Sequence, residues 1–201
     1  IDGQDVRDVT QASLRAAIGI VPQDTVLFNE TIGYNIAYGR EDATPEEIRA
    51  AATGAAIADF IEAQPQGYDT RVGERGLKLS GGEKQRMGMA RLFYHKPTYA
   101  VLDECTSAVS TDVEGLMYSH AKDLGMTLIT ISHRPSLFKY HTTLLDLKGE
   151  HGNYEVIKLV GDQQEQTLEQ ELSELEEKLS KVDNYKKRLA EIQAELSFSK
   201  S

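Results

Sequence analysis

Residues 79–110 read LSGGEKQRMGMARLFYHKPTYAVLDECTSAVS. The Ser and two Gly near the start of this stretch precede a helical pattern, an arrangement that points backbone N–H groups and the Ser80 hydroxyl at an anion. The apolar run at 99–102 predicts a buried strand that ends in Asp103 and Glu104. Acidic groups at the carboxyl end of a parallel strand lie where ligands bind in open α/β sheets. The stretch therefore predicts an anion-binding helix start together with an acidic strand end.

Two more apolar runs end in polar side chains. Ile18–Val21 is a β-branched run stopped by a proline, with Gln23 just past its end, and Thr127–Ile131 runs into His133. With a helical stretch before Thr127, the order strand, helix, strand predicts a parallel βαβ unit. Taken singly, each feature has a plainer interpretation: an acidic pair can be a solvated turn, a lone histidine can be structural, and Ser-Gly-Gly can be a capped helix start.

The middle third of the chain, from Thr31 to Tyr94, has a helical pattern. Thr44 is followed by Pro45 and two glutamates, which predicts a capped helix start that leads into an Ala-rich run.

From Gln163 onward the chain contains no Gly or Pro, and apolar residues recur at spacings of four and three. They are Leu168, Leu172, Leu175, Leu179 and Val182, followed after a shortened step at Tyr185 by Leu189, Ile192 and Leu196. This spacing predicts a coiled-coil helix that pairs with another helix. An amphipathic helix folded back on its own domain and a solvated spacer are the alternatives.

Composition limits the classes of function. The chain has 201 residues, 40% of them hydrophobic, which is enough for one sizeable core. Its formal net charge of -10 argues against nucleic-acid binding, which needs clustered Lys and Arg. A single cysteine cannot form an internal disulfide, and no apolar run approaches the roughly 20 residues of a membrane helix. We therefore expect a soluble chain in a reducing compartment, and the amino terminus at Ile1 reads as a cut through a domain.

In order and spacing these residues resemble the ATP-binding cassette (ABC) ATPases, from Ile1 to about Leu159. The motifs that carry the resemblance are the Q-loop glutamine (Gln23), the signature motif (79–86), the Walker B strand (99–103), the catalytic base (Glu104), the D-loop (107–110) and the switch histidine (His133). The resemblance implies an α/β fold: a P-loop NTPase-like ABC core with an inserted helical subdomain and a C-terminal coiled-coil helix.

On this basis we expect a partial ABC ATP-binding domain over residues 1–160, with the helical subdomain at about 30–97, and a coiled-coil helix over 161–201. No G-x-x-x-x-G-K-[ST] motif occurs in the sequence. The core is therefore expected to be incomplete, because it lacks the P-loop that holds the β- and γ-phosphates.

The resemblance implies ATP and Mg²⁺ as ligands and phosphoryl transfer to water as the reaction, which relies on positioning and charge stabilisation. Glu104 would deprotonate the attacking water and His133 would contact the γ-phosphate. Asp103 would hold Mg²⁺ together with Gln23. The residues expected to contact nucleotide are Ser80, Gly81, Gly82, Glu83, Gln85 and Ser107.

The resemblance also implies two partners. One is a second nucleotide-binding domain, paired head to tail so that each signature motif faces the other subunit's ATP. The other is the transmembrane domain of the same transporter.

Different parts of the chain resemble two different branches of the family. Residues 1 to about 79, with an exporter-like segment at 28–39, resemble mitochondrial and bacterial half-transporters of heavy-metal, glutathione and iron-sulfur traffic. From Met87 onward, and most clearly at 103–110 and 132–137, the chain resembles the peroxisomal fatty-acyl transporters. A recombined gene or a divergent family member would produce this pattern. It predicts fatty acyl-CoA or a glutathione- or metal-type compound as substrate, and the soluble face of a peroxisomal or mitochondrial membrane transporter as location.

Two positions depart from the common motifs. Ser110 stands where most cassettes have Asp, as it does in the peroxisomal branch, and Cys105 takes the place of a usual Ala. We expect Cys105 to be a small packed side chain rather than a nucleophile.

Two other functions compete with the transporter. One is a non-transport ABC ATPase of the DNA-repair or chromosome-organising kind, in which coiled coils interrupt the cassette instead of following it. The other is a catalytically inert fragment whose tail dimerises. Without a P-loop we expect the chain alone to bind ATP weakly, to hydrolyse it negligibly and to leave one side of its core uncovered.

Overall fold

The computed structural model describes residues 1–74, 79–149 and 152–159. The chain divides into two compact units, Ile1–His133 and Arg134–Ser201. The predicted coiled coil lies outside the described residues and stays a prediction, as does the domain division at about residue 160.

The first unit is built on a three-stranded parallel sheet in the order β1–β2–β3, with β1 at Ile18–Val21, β2 at Tyr99–Asp103 and β3 at Thr127–Ile131. Its helices are α1 (Gln11–Ala17), α2 (Ile32–Ile36), α3 (Pro45–Gly54), α4 (Ala58–Glu62), α5 (Gly81–His95) and α6 (Thr111–Asp123), with a 3-10 turn at Gly67–Asp69. The strand positions and the parallel βαβ unit predicted from sequence are confirmed. The carboxyl ends of all three strands lie at one edge of the sheet.

Capping side chains set the starts of four of these helices, α1, α2, α3 and α5. The α3 helix begins where the sequence predicts, because Thr44 and Glu47 form a reciprocal capping box with N···O distances of 3.1 and 3.2 Å. The α5 helix begins at Gly81, so the two glycines that were expected to precede the helical pattern belong to its first turn. The short α1 helix, capped by Thr10, was not predicted.

One face of the sheet is covered by α5. At Gly19 an added Cβ would lie 2.6 Å from Leu92 Cδ1 and 2.6 Å from Pro97 Cγ, so a larger residue would require these side chains to shift. The opposite face carries three isoleucines that are 66%, 51% and 54% exposed: Ile20, Ile129 and Ile131. The uncovered side that the sequence led us to expect is thus present in the described residues.

The second unit contains a 3-10 helix at Pro135–Tyr140 and an antiparallel pair, β4 (Thr143–Leu147) and β5 (Tyr154–Lys158). The sequence pattern had not indicated this pair. No helix in the described part of the chain is both long enough and apolar enough to cross a membrane.

Candidate active site

Glu104 follows β2 directly and has an unusual backbone. Its φ angle is +44°, in the left-handed region that favours glycine. A non-glycine residue there costs about 1 kcal/mol or more, and such strain is typical of functional sites. The Glu104 amide donates a hydrogen bond to the Ile131 carbonyl at 2.9 Å, which ties this strained position to β3.

Each oxygen of the Glu104 carboxylate contacts one side chain. Gln23 Nε2 donates to Oε2 at 3.1 Å, and His133 Nε2 lies 3.2 Å from Oε1. Gln23 follows β1 and His133 follows β3, so the parallel sheet brings three separate strand ends together. The Glu104 side chain is 27% exposed and His133 is 95% exposed. The carboxylate is therefore oriented by its neighbours and still accessible to a water molecule or ligand.

Asp103 is the last residue of β2, and its carboxylate makes no hydrogen bond within the described residues. Because Gln23 uses its Nε2 to donate a hydrogen bond to Glu104, its amide oxygen is left to act as a metal ligand. Mg²⁺ takes only one or two protein carboxylates because water and phosphate oxygens complete its shell. The pair fits such an ion, whereas no group of three His, Cys, Asp or Glu in the described part of the chain could hold a metal by itself.

The signature segment forms a capped helix start. Ser80 Oγ accepts a hydrogen bond from the Glu83 amide at 3.3 Å, and the Glu83 carboxylate accepts one from the Ser80 amide at 2.7 Å. A hydroxyl that accepts in this way still has its own hydrogen to donate. Gly81 and Gly82 form the first turn of the 15-residue α5. The first-turn amides of such a helix provide a positive end that suits an anion.

Gln85 lies further along α5 and is only 5% exposed. Its Nε2 donates to Ser107 Oγ at 2.9 Å, and its Oε1 accepts from the Ala108 amide at 2.8 Å. Two of the residues predicted to contact nucleotide, Gln85 and Ser107, thus contact each other. Nothing in the sequence pattern pointed to this pairing, because the two residues belong to different motifs.

Cys105 is 1% exposed, and its Sγ lies 3.8 Å from Met89 Sδ. Burial raises the pKa of its thiol to about 12, so the thiol stays protonated near neutral pH. Cys105 is a packed side chain, as its small size predicted.

The sequence analysis missed an exposed aromatic cluster of Phe28, Tyr34 and Tyr38, whose side chains are 38%, 48% and 43% exposed. The rings of Phe28 and Tyr38 stack with centroids 4.4 Å apart, and Tyr34 meets both edge-on. The spacing of Tyr34 and Tyr38, one helical turn apart, is the signal that could have revealed it.

A cavity of about 530 Å³ adjoins this aromatic cluster. Its walls are partly apolar, including Ile20, Val26, Leu92 and Pro97, and four basic side chains also line it: Arg15, Arg40, Arg91 and His95. Arg91 connects the cavity to the cluster, since its guanidinium carbon lies 5.9 Å from the centre of the Tyr38 ring. Burial lowers the pKa of the Arg91 guanidinium, which nevertheless remains charged near neutral pH.

The sheet with its convergent strand ends and the capped signature helix have the arrangement of an ABC-type nucleotide-binding core. The chain belongs to the ABC transporter family, which matches residues 1–107. It is 58% identical over 149 residues to the ATM1-type heavy metal exporter of Novosphingobium aromaticivorans, an alignment that covers 73% of this chain and 24% of the exporter. It is 51% identical over 163 residues to human ATP-binding cassette sub-family B member 6, covering 78% of this chain and 19% of that protein.

A solved structure of a bacterial Atm1-family ABC exporter with ATP bound matches the fold with a TM-score of 0.68 and 58% identity, over 72% of this chain and 26% of that one. The ABC ATPase fold is therefore confirmed. This chain spans about a quarter or less of the length of these relatives. Since the alignments cover more than 70% of the chain, the similarity to heavy-metal exporters continues past the signature motif. The resemblance to the peroxisomal branch stays a prediction.

Proposed function

We propose that this chain is the ATP-hydrolysing part of an ABC exporter and that Glu104 is its general base. The observation that carries the proposal is the Glu104 carboxylate held between Gln23 and His133 at the carboxyl edge of the sheet. A fixed, accessible carboxylate can accept the proton of a water molecule that attacks the γ-phosphate. Because both oxygens are already contacted, little reorganisation is needed at the moment of reaction.

Asp103 and the amide oxygen of Gln23 would hold Mg²⁺ beside the phosphates. Bound Mg²⁺ would neutralise charge on the phosphate oxygens. Gln23 would then link metal and base, since its amide nitrogen already contacts Glu104. The exposed His133 ring would contact the γ-phosphate and keep Glu104 in line with the attacking water.

Ser80, Gly81, Gly82 and Glu83 would serve the ATP bound by a second nucleotide-binding domain. Glu83 would act indirectly, because its carboxylate is occupied in holding the Ser80 amide and so fixes the helix start. Each domain of a head-to-tail pair would then contribute its signature helix to one site and its Glu104 to the other.

The partner in the membrane would be a transmembrane domain, docked on the aromatic cluster and the adjoining cavity. Exposed, stacked rings next to an apolar cavity suit a partner segment with apolar side chains. The basic residues that line the cavity call for acidic residues on that segment.

Relatives named for heavy-metal export or heavy-metal tolerance favour a metal- or glutathione-type compound over fatty acyl-CoA as the transported substrate. The same relatives favour a transporter over a non-transport ABC ATPase. The chain alone would bind ATP weakly and hydrolyse it negligibly, because its sequence contains no P-loop motif to hold the phosphates.

The proposal is tested in a graft, in which this full chain replaces the aligned segment of the Novosphingobium exporter. We expect the graft to hydrolyse ATP, and Glu104→Gln to lower its turnover by about 10²-fold or more while ATP binding persists, because the amide keeps the shape but cannot take a proton. Steady-state phosphate release and nucleotide-binding calorimetry measure the two effects.

The parent exporter, assayed in parallel, controls for the host. A graft that binds ATP without hydrolysing it would favour the inert-fragment alternative. A Glu104→Gln graft that turns over at the rate of the unsubstituted graft would exclude Glu104 as the base.

A further inference from the structure

The side chain of Gln85 joins the signature helix to the loop of residues 104–110. Besides its bonds to Ser107 and Ala108, its Nε2 lies 3.4 Å from the Glu104 carbonyl oxygen. Gln85 therefore touches the backbone of the residue whose carboxylate Gln23 and His133 hold. Both ends of the amide are engaged, as a buried amide requires.

Other contacts also restrain the loop of residues 104–110. Thr106 Oγ1 donates to the buried Glu114 carboxylate on α6 at 2.5 Å, and the Ser107 amide donates to the Glu104 carbonyl at 3.1 Å. At Gly82 an added Cβ would lie 2.8 Å from the Ala108 carbonyl oxygen, so the first turn of α5 rests directly against the loop. A change in the position of the α5 start has to be accommodated at Ser107 and Ala108.

We propose that Gln85 is a positioning residue that couples the signature segment to Glu104, and that the two ATP sites of a cassette pair influence each other through its side-chain amide. This inference rests on the proposed function, because it needs Ser80 to Gly82 to serve one site and Glu104 the other. Gln85 is only 5% exposed and would act through the loop rather than on nucleotide or water directly. It transmits the position of the helix start to the loop that carries the base.

The first test uses the graft with Gln85→Met, which keeps the length of the side chain and removes its hydrogen bonds. We expect kcat to fall about tenfold and KM for ATP to change less than about twofold, because nucleotide contacts are kept while the base is less well placed. Gln64→Met is the matched control, since it also removes a bond from a glutamine amide to a backbone carbonyl but lies away from the loop. It should leave kcat unchanged.

The second test separates coupling from simple support. The test uses mixed dimers in which one subunit retains Glu104 and the other carries Glu104→Gln, so that only one of the two sites turns over. The Ser80→Ala substitution is made on the subunit that retains Glu104. Its signature serves the silent site, so we expect Ser80→Ala to slow the active site. When the same subunit already carries Gln85→Met, Ser80→Ala should not lower the turnover of the active site any further. The effects of the two substitutions would then be non-additive in a double-mutant cycle.

A structural role alone would give additive losses in this cycle, and that result would overturn the proposal. Gln85→Glu is a second variant that keeps the acceptor for the Ala108 amide, loses the bond donated to the Glu104 carbonyl and reverses the bond with Ser107, whose hydroxyl can donate to the carboxylate. It should show the same fall in kcat and the same non-additivity.

The inference about Gln85 and the proposed function can fail separately. If the graft is active and loses turnover with Glu104→Gln, but not with Gln85→Met or Gln85→Glu, only the inference about Gln85 is overturned. An inactive unsubstituted graft would overturn the proposed function and this inference with it.

Discussion

At the scale of single residues, the site is organised around one strained position. Glu104 combines a left-handed backbone, an amide bonded to β3 and a carboxylate contacted on both oxygens. Only glycine, which has no Cβ, would relieve the left-handed backbone here. A glutamate in this conformation is therefore maintained at a cost in stability, which fits a residue kept for chemistry.

Glu104→Ala and Glu104→Gly should differ in stability although both remove the carboxylate. The alanine variant keeps the cost of a left-handed residue, whereas glycine does not, so we expect the glycine variant to be more stable by about 1 kcal/mol. Urea unfolding of the 201-residue chain measures the difference. Equal stabilities, or a more stable alanine variant, would show that this backbone conformation carries no strain.

At the scale of elements, the important contact is that between the start of α5 and the loop of residues 104–110. The two signature glycines differ in what surrounds them. An added Cβ at Gly81 would lie 3.6 Å from Ala108 Cβ, an ordinary contact, whereas at Gly82 it would lie 2.8 Å from a backbone oxygen. The second glycine is thus required by packing as well as by any contact with nucleotide.

Gly81→Ala should leave the stability of the chain unchanged or raise it by up to about 1 kcal/mol, because alanine loses less backbone entropy in a helix. Gly82→Ala should lower stability by about 1–3 kcal/mol, because neither the helix nor the loop can move away without disturbing the other. Denaturant unfolding compares the pair directly. Equal effects of the two substitutions would contradict the close approach of α5 to the loop.

His95, at the end of α5, gives this helix a pH-dependent contact. Its Nε2 lies 3.0 Å from the Tyr38 carbonyl oxygen, and burial lowers the pKa of the imidazole below its usual value of 6.5. The unfolded chain therefore takes up a proton at a higher pH than the folded chain does. The stability that this histidine contributes is present above pH 6.5 and is lost as the pH falls.

His95→Gln removes this titration and retains a donor for the Tyr38 carbonyl. As the pH is lowered from about 7 to about 5, the unsubstituted chain should lose more stability than the variant does. Urea unfolding at a series of pH values measures the gap between them. A gap that stays constant over this range would mean that the pKa of His95 is the same in the folded and unfolded chains.

At the scale of the whole molecule, the unit Ile1–His133 has a parallel sheet that is covered on one face and exposed on the other. Ile20, Ile129 and Ile131 present an apolar sheet face to solvent next to the edge that carries Glu104 and His133. An apolar face of this kind favours association. Association through the predicted coiled coil of residues 161–201 is a separate matter and depends on the helical spacing of its leucines.

Deleting residues 163–201 should convert a dimer of the chain into a monomer, because the seam of leucines and isoleucines is then lost. Light scattering at several concentrations measures the mass of both forms. Leu172→Lys with Leu179→Lys, in the 201-residue chain, should have the same effect, since each charge at a predicted seam position lowers the stability of the pairing. An unchanged mass in the deletion would assign any dimer to the cassette itself.

The sequence by itself determined the three parallel strands and the start of α3, and it placed Gln23, Glu104 and His133 just past strand ends, because each of these depends on local pattern. Apolar runs that end in polar residues predict where strands stop, and a parallel sheet places those ends at one edge. The expectation that Cys105 is packed came from the family resemblance, in which it takes the place of a usual Ala, and its burial confirms it.

Only the tertiary structure decided which side chains meet. Gln23 and Glu104 are 81 positions apart, and Gln85 and Ser107 are 22 apart, so their hydrogen bonds depend on the packing of separate elements. Sequence alone counted Gln85 among the nucleotide contacts, because it stands in the signature motif. In the fold it faces the loop that carries Glu104, since α5 turns successive side chains by about 100° and directs this one inward. The sequence shows the types and the order of the residues, whereas the hydrogen-bond partner of a buried amide depends on how separate elements pack against each other.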